Sequence, residues 1–222
     1  MPGLIIAIDG PSGVGKGTVA RAVARRLGYR HIDTGAMYRA VGWETLRRGL
    51  SLDDTAAVAD VAQHARFTLD GDRICINGHD VTAAIRTPEM DRAATAVARQ
   101  APVRAQLVAR QRAMGAEGGI VMEGRDIGTV VFPDADVKVF LDASPEERAR
   151  RRANDPAHAG HGAALASVAV ELQARDQSDR TRTASPLVMA PDAIRIDTTD
   201  VPADEVVRQV CALVEQAASR RA

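Results

Sequence analysis

Apolar residues occur along this chain in two alternating patterns. Short, continuous apolar runs predict strands of a parallel sheet, because a strand that is covered on both faces has no polar side to alternate with. The segments between them carry apolar residues at intervals of three and four, which predicts helices that pack through one face. The predicted strands span residues 4–8, 29–32, 120–123, 137–141 and 194–196. The predicted helices span residues 19–27, 36–48, 53–64, 88–99, 102–116 and 164–175, with one more after residue 144 and another at the C-terminal end.

Strands and helices that alternate with short connections predict an α/β fold of three layers, in which helices cover both faces of a parallel sheet of about five strands. Ligands of such sheets bind beyond the carboxyl ends of the strands. We therefore expect the polar residues that follow strands to gather at one edge. They are Asp33, Thr34, Arg125, Asp126 and Asp142.

Two helix starts carry capping signals. Thr34 is the expected N-cap of the helix over 36–48, because a hydroxyl can accept from an unpaired N–H of the first turn. Ser144 with Glu147 three residues later predicts a capping box at the start of the helix that follows residue 144.

The middle of the chain contains short strand-like pieces at 67–69, 74–76 and 79–81. Asp70-Gly71-Asp72 and Asn77-Gly78 separate them, and both are strong hairpin signals. A small antiparallel insertion is therefore expected beside the parallel sheet.

A second break occurs at 154–162, where the letters NDPAHAGHG show no apolar periodicity and predict a loop or a helix interruption. His158 and His161 have a spacing that suits metal ligands, but no third partner accompanies them. A metal site there is not favoured.

The first turn of the chain carries the clearest chemical signal. A glycine-rich loop between a buried strand and a helix lets several backbone N–H groups approach a polyphosphate closely. The helix that follows favours anions at its N-terminus, Lys16 can reach the outer phosphates, and Thr18 offers a hydroxyl to Mg²⁺. The predicted ATP-binding loop consists of Gly10, Pro11, Ser12, Gly13, Val14, Gly15, Lys16, Gly17 and Thr18. Because Gly17 separates Lys16 from Thr18, the loop resembles that of nucleoside monophosphate kinases rather than that of signalling GTPases.

Composition narrows the classes of partner. The chain has 222 residues, 45% of them hydrophobic, and a formal net charge of zero, so no global field favours nucleic acid or an anionic membrane. No apolar run is long enough for a membrane helix or a signal sequence, and the two cysteines lack metal-type spacing. We expect one α/β domain that is cytoplasmic and monomeric.

Four ordered blocks extend over nearly the whole chain: GPSGVGKGT, DTGAMYR from Asp33, EGRDIGTVVFPDA from Glu123, and RDQSDRTR from Arg175. Together they resemble bacterial cytidylate kinases. The resemblance implies transfer of the γ-phosphoryl group of ATP to CMP or dCMP in pyrimidine nucleotide metabolism, with Mg²⁺. It also implies a phosphate-loop core over 1–36, 102–150 and 183–222, a monophosphate-binding lobe over 37–101 with the antiparallel insertion at about 66–82, and a helical lid over 151–182.

The same resemblance implies roles for individual residues. Guanidinium groups suit the monophosphate because they bind its oxygens in pairs, and a carboxylate with an arginine or hydroxyl complements the edge of cytosine. The implied contacts are Arg39, Arg125 and Arg182 on the phosphate, Thr95, Arg104 and Asp126 on the base, Arg175 and Asp179 on the ribose, and Thr34 and Tyr38 beside them. Lys16, Arg151 and Arg152 are the expected catalytic cations, and Thr18 is the expected side chain near Mg²⁺. Glu123 stands where aspartate is common in the family.

Other interpretations remain open from the sequence. Arg39 and the run from Arg148 to Arg152 also fit solvated helix faces, and Arg125 with Asp126 also fits a surface ion pair. The same scaffold serves kinases that act on UMP, AMP or shikimate, and only the acceptor contacts separate them. A nucleotide-driven switch is a third class, although the chain has no NKxD guanine-binding motif.

Overall fold

The computed structural model describes residues 3–155 and 164–221. Most of the loop predicted at 154–162, including His158 and His161, lies outside the described residues. Within the described ranges, no helix is both long enough and apolar enough to cross a membrane.

Five strands form one parallel sheet with the order β2-β6-β1-β7-β8. The strands are β1 (Ile5–Asp9), β2 (Arg30–Asp33), β6 (Ile120–Gly124), β7 (Val137–Asp142) and β8 (Ile194–Asp197). Most strands extend one residue further than the apolar pattern predicts, because the polar residue at the carboxyl end still pairs with its neighbour. Asp9, for example, pairs with Gly124. The predicted sheet is confirmed.

Helices cover both faces of this sheet, which confirms the three-layer prediction. On β1, Ile6 and Ile8 face a core shared with the helices α1 and α8, while Ala7 faces a second core shared with α2, α3 and α5. This explains why the strand is continuously apolar. The helices are α1 (Lys16–Leu27), α2 (Thr34–Arg47), α3 (Thr55–His64), α4 (Pro88–Ala98), α5 (Ala101–Gly115), α6 (Pro145–Ala153), α7 (Leu165–Thr181) and α8 (Ala203–Arg221).

The predicted antiparallel insertion is present between α3 and α4. It consists of β3 (Phe67–Asp70), β4 (Arg73–Ile76) and β5 (His79–Asp80), with β4 in the middle. Asn77 adopts φ 52° at the second turn, a left-handed conformation that asparagine tolerates better than most residues. Ile74 and Ile76 pack into the core that α2 and α3 share, so the insertion rests on these helices.

Two capping predictions are wrong in detail. The N-cap of α2 is Asp33, whose Oδ1 accepts from the N–H of Ala36 at 2.9 Å. Thr34 is the first helical residue, and its hydroxyl donates to the carbonyl of Glu123 on β6 at 2.7 Å. Thr34 therefore links α2 to β6 instead of capping the helix. Ser144 does cap α6 through the N–H of Glu147, but the N–H of Ser144 itself donates to Thr199 Oγ1 at 2.9 Å, so no capping box forms.

A buried carboxylate joins α2 to the insertion. Glu44 is 0% exposed and accepts from Arg47 at 2.7 Å, from Arg48 at 2.8 Å and from the side-chain amide of Asn77 at 3.2 Å. Asn77 and Gly78 are the two left-handed residues of the β4–β5 turn, so this carboxylate fixes the turn against the helix.

Glu44→Gln should lower the free energy of unfolding at pH 7 by about 1–3 kcal/mol, because charged donors lose a buried acceptor. The Arg47 guanidinium, above all, holds the pKa of Glu44 at about 2, below its ordinary 4.5. A depressed folded-state pKa contributes stability above pH 4.5 that is lost as the pH falls towards 2. Urea unfolding at pH 7 and pH 3 should therefore show a smaller difference between the two proteins at pH 3.

Glu205→Gln is the matched control. Glu205 on α8 also binds an arginine three residues later, Arg208, but both side chains are exposed. This variant should unfold almost as the unsubstituted protein does. Equal losses of stability in the two variants would contradict the importance of burial at Glu44.

Candidate active site

A cavity of about 490 Å³ opens at the carboxyl ends of β1, β2 and β6. Four of the five polar residues expected at one edge line it, namely Asp33, Thr34, Arg125 and Asp126. Its lining includes Thr34, Tyr38, Arg39, Thr95, Arg104, Arg125, Asp126, Arg151, Arg152, Arg175, Asp179 and Arg182, together with Gly13, Gly15, Lys16, Gly17 and Thr18 of the glycine-rich loop. Of the other predicted loop residues, Gly10, Pro11, Ser12 and Val14 lie behind this surface.

Side chains from α6 and from the segment after β8 bind two carbonyls of the glycine-rich loop. Arg148 donates to the carbonyl of Ser12 at 3.2 Å, and Thr198 donates to the carbonyl of Val14 at 3.1 Å. Gly13 adopts φ +82°, and a Cβ there would lie 2.9 Å from the backbone oxygen of Arg148, so α6 packs where only glycine fits. Within the described residues, no backbone carbonyl accepts from the N–H groups of Gly13, Val14 or Gly15. These groups are available to an anion.

Lys16 lies under the loop and is only 7% exposed. Its Nζ donates to the carbonyl of Pro11 at 2.6 Å. Burial, followed by the nearby charge of Arg125, lowers the pKa of Lys16 well below its ordinary range. A bound polyanion would add negative charge beside this ammonium group and so oppose both effects.

The residues that face the start of α1 fit a magnesium ion carried by nucleotide phosphates. Thr18 is exposed in the first turn, and a Cβ on Gly17 would lie 3.3 Å from Glu123 Oε1, so Glu123 borders the same turn. His31 Nε2 lies 2.8 Å from the same carboxylate oxygen. Among the described residues, no three side chains of His, Cys, Asp or Glu form a cluster that could hold a metal alone. The protein thus offers one hydroxyl and one nearby carboxylate, which suits an ion that keeps phosphate and water ligands.

The segment after β6 forms a π-helical turn over Ile127–Val131, which the sequence analysis did not predict. Such turns are rare and occur often at functional sites. Asp9 caps it: its two oxygens accept from the N–H groups of Ile127 and Gly128, each at 2.8 Å. Arg125 and Asp126 come immediately before this turn and line the cavity.

A first group of arginines surrounds Asp91. Arg175 donates to Asp91 Oδ1 at 3.0 Å, Arg152 donates to Asp91 Oδ2, and Arg39 lies 3.9 Å from Oδ1. Arg39 also donates to Asp33 at 2.9 Å. The four helices α2, α4, α6 and α7 therefore meet around one carboxylate.

A second group surrounds Asp179. Arg125 donates to Asp179 Oδ2 at 2.9 Å, and Arg182 lies 3.6 Å from Oδ1 and 3.7 Å from Asp126 Oδ1. Arg182 also donates to the carbonyl of Ser185 at 2.6 Å. Burial opposes ionisation of Asp179, but Arg125 and the other arginines hold its pKa below the ordinary value. The guanidinium groups thus have fixed positions before any ligand binds.

A buried pocket beside these groups contains Arg104 and Asp126, which form an ion pair and are 3% and 5% exposed. The guanidinium of Arg104 lies 5.3 Å from the centre of the Tyr38 ring. Burial raises the pKa of Tyr38 to about 12, so the phenol stays neutral. The hydroxyl of Thr95 donates to the carbonyl of Asp91 at 2.9 Å and faces the same cavity. This arrangement can bind one planar polar group.

Arg151 differs from the other predicted catalytic cations. Its guanidinium donates to Glu147 at 2.7 Å and to the hydroxyl of Thr198 at 2.9 Å, and it also contacts the carbonyl of Val14 at 3.4 Å. It therefore braces the loop from the side of α6. Arg152 instead points to Asp91, across the cavity.

The cavity is strongly cationic although the chain has no net charge. Its lining includes ten lysine and arginine side chains and six carboxylates. The site therefore suits a multiply charged anion.

Several lining residues escaped the sequence analysis. Asp91 lies in the first turn of α4. Acidic residues are common there because they interact favourably with the helix dipole, so the sequence around Asp91 did not indicate a binding role. Arg21 and Arg86 also line the cavity, although neither was predicted as a site residue. Conversely, Asp142 does not line the cavity: it accepts from Arg195 on the neighbouring strand at 2.7 Å, because β7 ends beyond the far side of the glycine-rich loop.

Solved structures of other proteins share this architecture. A gluconokinase from Sinorhizobium meliloti 1021 aligns with 99% of this chain and 95% of its own, with a TM-score of 0.51 and 18% identity. An uncharacterized protein from Eubacterium ventriosum aligns with 96% of this chain and 98% of its own, with a TM-score of 0.54 and 13% identity. At such identities the likeness concerns the fold alone.

Sequence relatives are much closer. The cytidylate kinase of Desulfitobacterium hafniense is 47% identical over 213 residues, which cover 95% of this chain and 92% of the relative. That of Pelotomaculum thermopropionicum is 48% identical over 214 residues, which cover 94% of this chain and 95% of the relative. The family profile described as cytidylate kinase matches residues 6–216. With this match and these relatives, the chain belongs to the cytidylate kinase family.

Proposed function

We propose that this protein transfers the γ-phosphoryl group of ATP to CMP or dCMP and releases ADP with CDP or dCDP, as part of pyrimidine nucleotide metabolism. One observation carries the proposal. The glycine-rich loop, two groups of arginines and the buried Arg104–Asp126 pair all line one cationic cavity. Such a cavity can hold two phosphorylated ligands end to end.

The donor side follows from the glycine-rich loop. The available N–H groups of residues 13–15 and the N-terminus of α1 bind the phosphates of ATP, and the ammonium group of Lys16 neutralises their charge. Thr18 is the side chain that would hold Mg²⁺ together with the phosphates, and Glu123 would bind its water ligands. When bound, the ion screens the charge between the phosphates.

The acceptor side follows from the arginines and the buried pair. Arg39, Arg125 and Arg182 bind the phosphate of CMP, because guanidinium groups match its oxygens in pairs. Asp126 accepts from the exocyclic amino group of cytosine, and Arg104 donates to its ring acceptors. These two side chains are already paired with each other, so the base finds a fixed acceptor and a fixed donor.

The remaining predicted contacts border this acceptor pocket. Arg175 and Asp179 bind the ribose, where a carboxylate can accept from a sugar hydroxyl, while Thr34, Tyr38 and Thr95 complete the walls. Asp179 has a second role, because its ion pairs also fix two of the arginines that face the phosphate.

The reaction needs positioning and charge neutralisation rather than a covalent enzyme intermediate. A phosphate oxygen of CMP attacks the γ-phosphorus of ATP in line. The new P–O bond forms as the bond to the β-phosphate oxygen breaks, and that oxygen leaves with the electron pair on ADP. Lys16 and Arg152 neutralise the charge on the moving group, and Arg151 contributes from the loop's far side.

We further propose that residues 37–101 act as the monophosphate-binding lobe and residues 151–182 as the lid, moving on the core formed by 1–36, 102–150 and 183–222. Arg152 of the lid and Asp91 of the lobe already form an ion pair across the cavity, which supports closure between them. Closure excludes water, which otherwise competes as the acceptor. A monomer in the cytoplasm remains our prediction for the setting of this activity.

The acceptor should be identified by a coupled assay with ATP and one of CMP, dCMP, UMP, AMP or shikimate. We expect CMP and dCMP to give the highest kcat/KM, because the Asp126 carboxylate accepts from an amino group that uracil lacks. Preference for another acceptor would overturn the assignment. ATP hydrolysis that is equally fast with no acceptor would favour a nucleotide-driven switch.

Lys16→Ala should lower kcat by about 10²–10³, because it removes a preorganised charge from the transition state. The dissociation constant for CMP should change little. Arg208→Ala is the control, because Arg208 is an exposed cation on α8 that binds Asp204 and Glu205 outside the cavity. It should keep the normal kcat, and a normal kcat in Lys16→Ala would refute the role of Lys16.

Asp126→Asn should raise the KM for CMP by about tenfold or more, with a smaller effect on the KM for ATP, because an amide N–H₂ then faces the amino group of cytosine. The same variant should discriminate less against UMP, because the C4 carbonyl oxygen of uracil can accept from the new amide. Asp142→Asn is the control at a neighbouring strand end outside the cavity. Equal effects on CMP and ATP would argue against direct contact with the base.

A further inference from the structure

Asp9 stands at the junction of two loops that contact different substrates. It is the last residue of β1 and immediately precedes the glycine-rich loop. Its carboxylate is 5% exposed and accepts from the N–H groups of Ile127 and Gly128, each at 2.8 Å. The proposed reaction uses no group on Asp9, so this buried charge needs another explanation.

The two N–H groups belong to the start of the π-helical turn, directly after Arg125 and Asp126. The carbonyl of Asp126 accepts from the N–H groups of Val130 and Val131, at 2.9 and 3.1 Å, so the turn closes on the backbone of this residue. Hydrogen bonds that hold the start of the turn in place therefore also hold the backbone of Arg125 and Asp126 in place.

We propose that Asp9 is a positioning residue of the acceptor site, which holds Arg125 and Asp126 in place relative to the glycine-rich loop. This inference rests on the proposed function, since Arg125 and Asp126 are its contacts for the phosphate and the base. Asp9 itself touches neither substrate. It joins the loop that binds the donor to the turn that binds the acceptor.

A carboxylate is the side chain that this geometry requires. An ionised carboxylate offers two acceptor oxygens, whereas an amide offers one acceptor and two donors. In Asp9→Asn, the amide nitrogen would face the N–H of either Ile127 or Gly128. That N–H loses its acceptor, and two N–H donors then point at each other. A buried N–H without an acceptor is costly, and the turn can escape this cost by moving.

Charged groups on three sides surround Asp9. Asp126 immediately precedes the turn, and Lys16 lies on α1. Lys138 on β7 lies beside Gly128, because a Cβ added to that glycine would be 3.2 Å from Lys138 Cδ and 3.5 Å from Asp9 Oδ2. Burial raises the pKa of Asp9 to about 6, although the N–H groups of Gly128 and Ile127 and the charge of Lys16 oppose this shift. The carboxylate is therefore ionised at pH 7.5 and largely protonated at pH 5. Protonation converts one oxygen into a donor, as the asparagine substitution does.

Asp9→Asn should raise the dissociation constant of CMP, measured by calorimetry, by about tenfold. The dissociation constant of a non-hydrolysable ATP analogue should rise much less. Asp136→Asn is the matched control: Asp136 Oδ2 accepts from the N–H of Ile5 at 2.7 Å, at the opposite end of the same strand. This control should bind CMP normally. Equal weakening of CMP in both variants, or stronger weakening of the ATP analogue in Asp9→Asn, would overturn the proposal.

A second measurement needs no substitution and so remains decisive if Asp9→Asn does not fold. Between pH 7.5 and 5, the amides of Ile127 and Gly128 should lose hydrogen-exchange protection, after correction for intrinsic rates, while the amide of Ile5 keeps its own. Over the same range the binding of cytidine, which carries no phosphate to titrate, should weaken. Unchanged protection at Ile127 and Gly128, or unchanged cytidine binding, would contradict the role of Asp9.

The two proposals fail in different ways. If the unsubstituted protein does not bind or phosphorylate CMP, the proposed function is wrong. If it does both while Asp9→Asn binds CMP as tightly as the unsubstituted protein, only the role of Asp9 is wrong.

Discussion

The structure depends on holding many positive charges close together before an anion arrives. Ten lysine and arginine side chains line one cavity, and several are buried. Their mutual repulsion is offset by carboxylates placed between them, chiefly Asp33, Asp91, Asp126 and Asp179. The result is a site that is preorganised yet still cationic. Since orientation is set in advance, less of the binding energy of a nucleotide has to be spent on ordering side chains.

The parallel sheet makes this concentration of charge possible. Because all five strands run in the same direction, the loops that follow β1, β2 and β6 open at one edge, and each delivers a different part of the site. The order of the strands matters too: β6 lies between β1 and β2, so the turn after it stands beside both the glycine-rich loop and the start of α2. The cavity is therefore a consequence of strand order as much as of its residues.

The shared fold does not by itself prescribe an acceptor. The gluconokinase shares the fold at only 18% identity and is named for a different substrate. The sheet and its helices therefore do not determine the substrate by themselves. In this chain, the Arg104–Asp126 pair joins α5 to the turn after β6 at the bottom of the cavity. Its exposed fractions of 3% and 5% imply that a base placed there meets charged groups with little competition from water.

The sequence by itself determined the local structure and the position of the glycine-rich loop. The alternating apolar runs, the hairpin signals and the glycine-rich motif are patterns over a few residues, and all were recognised from periodicity and residue type. Only the tertiary structure decided which carboxylate faces which arginine, because the partners are distant along the chain: Arg125 pairs with Asp179, 54 residues away, and Arg152 with Asp91, 61 residues away. Distant partners also explain why Thr34 bonds Glu123, 89 residues away, instead of capping α2, and why Asp142 pairs with Arg195, 53 residues away. The π-helical turn is likewise bonded by Asp9, 118 residues before it. Periodicity describes one element at a time, whereas charge pairing depends on how several elements are brought together.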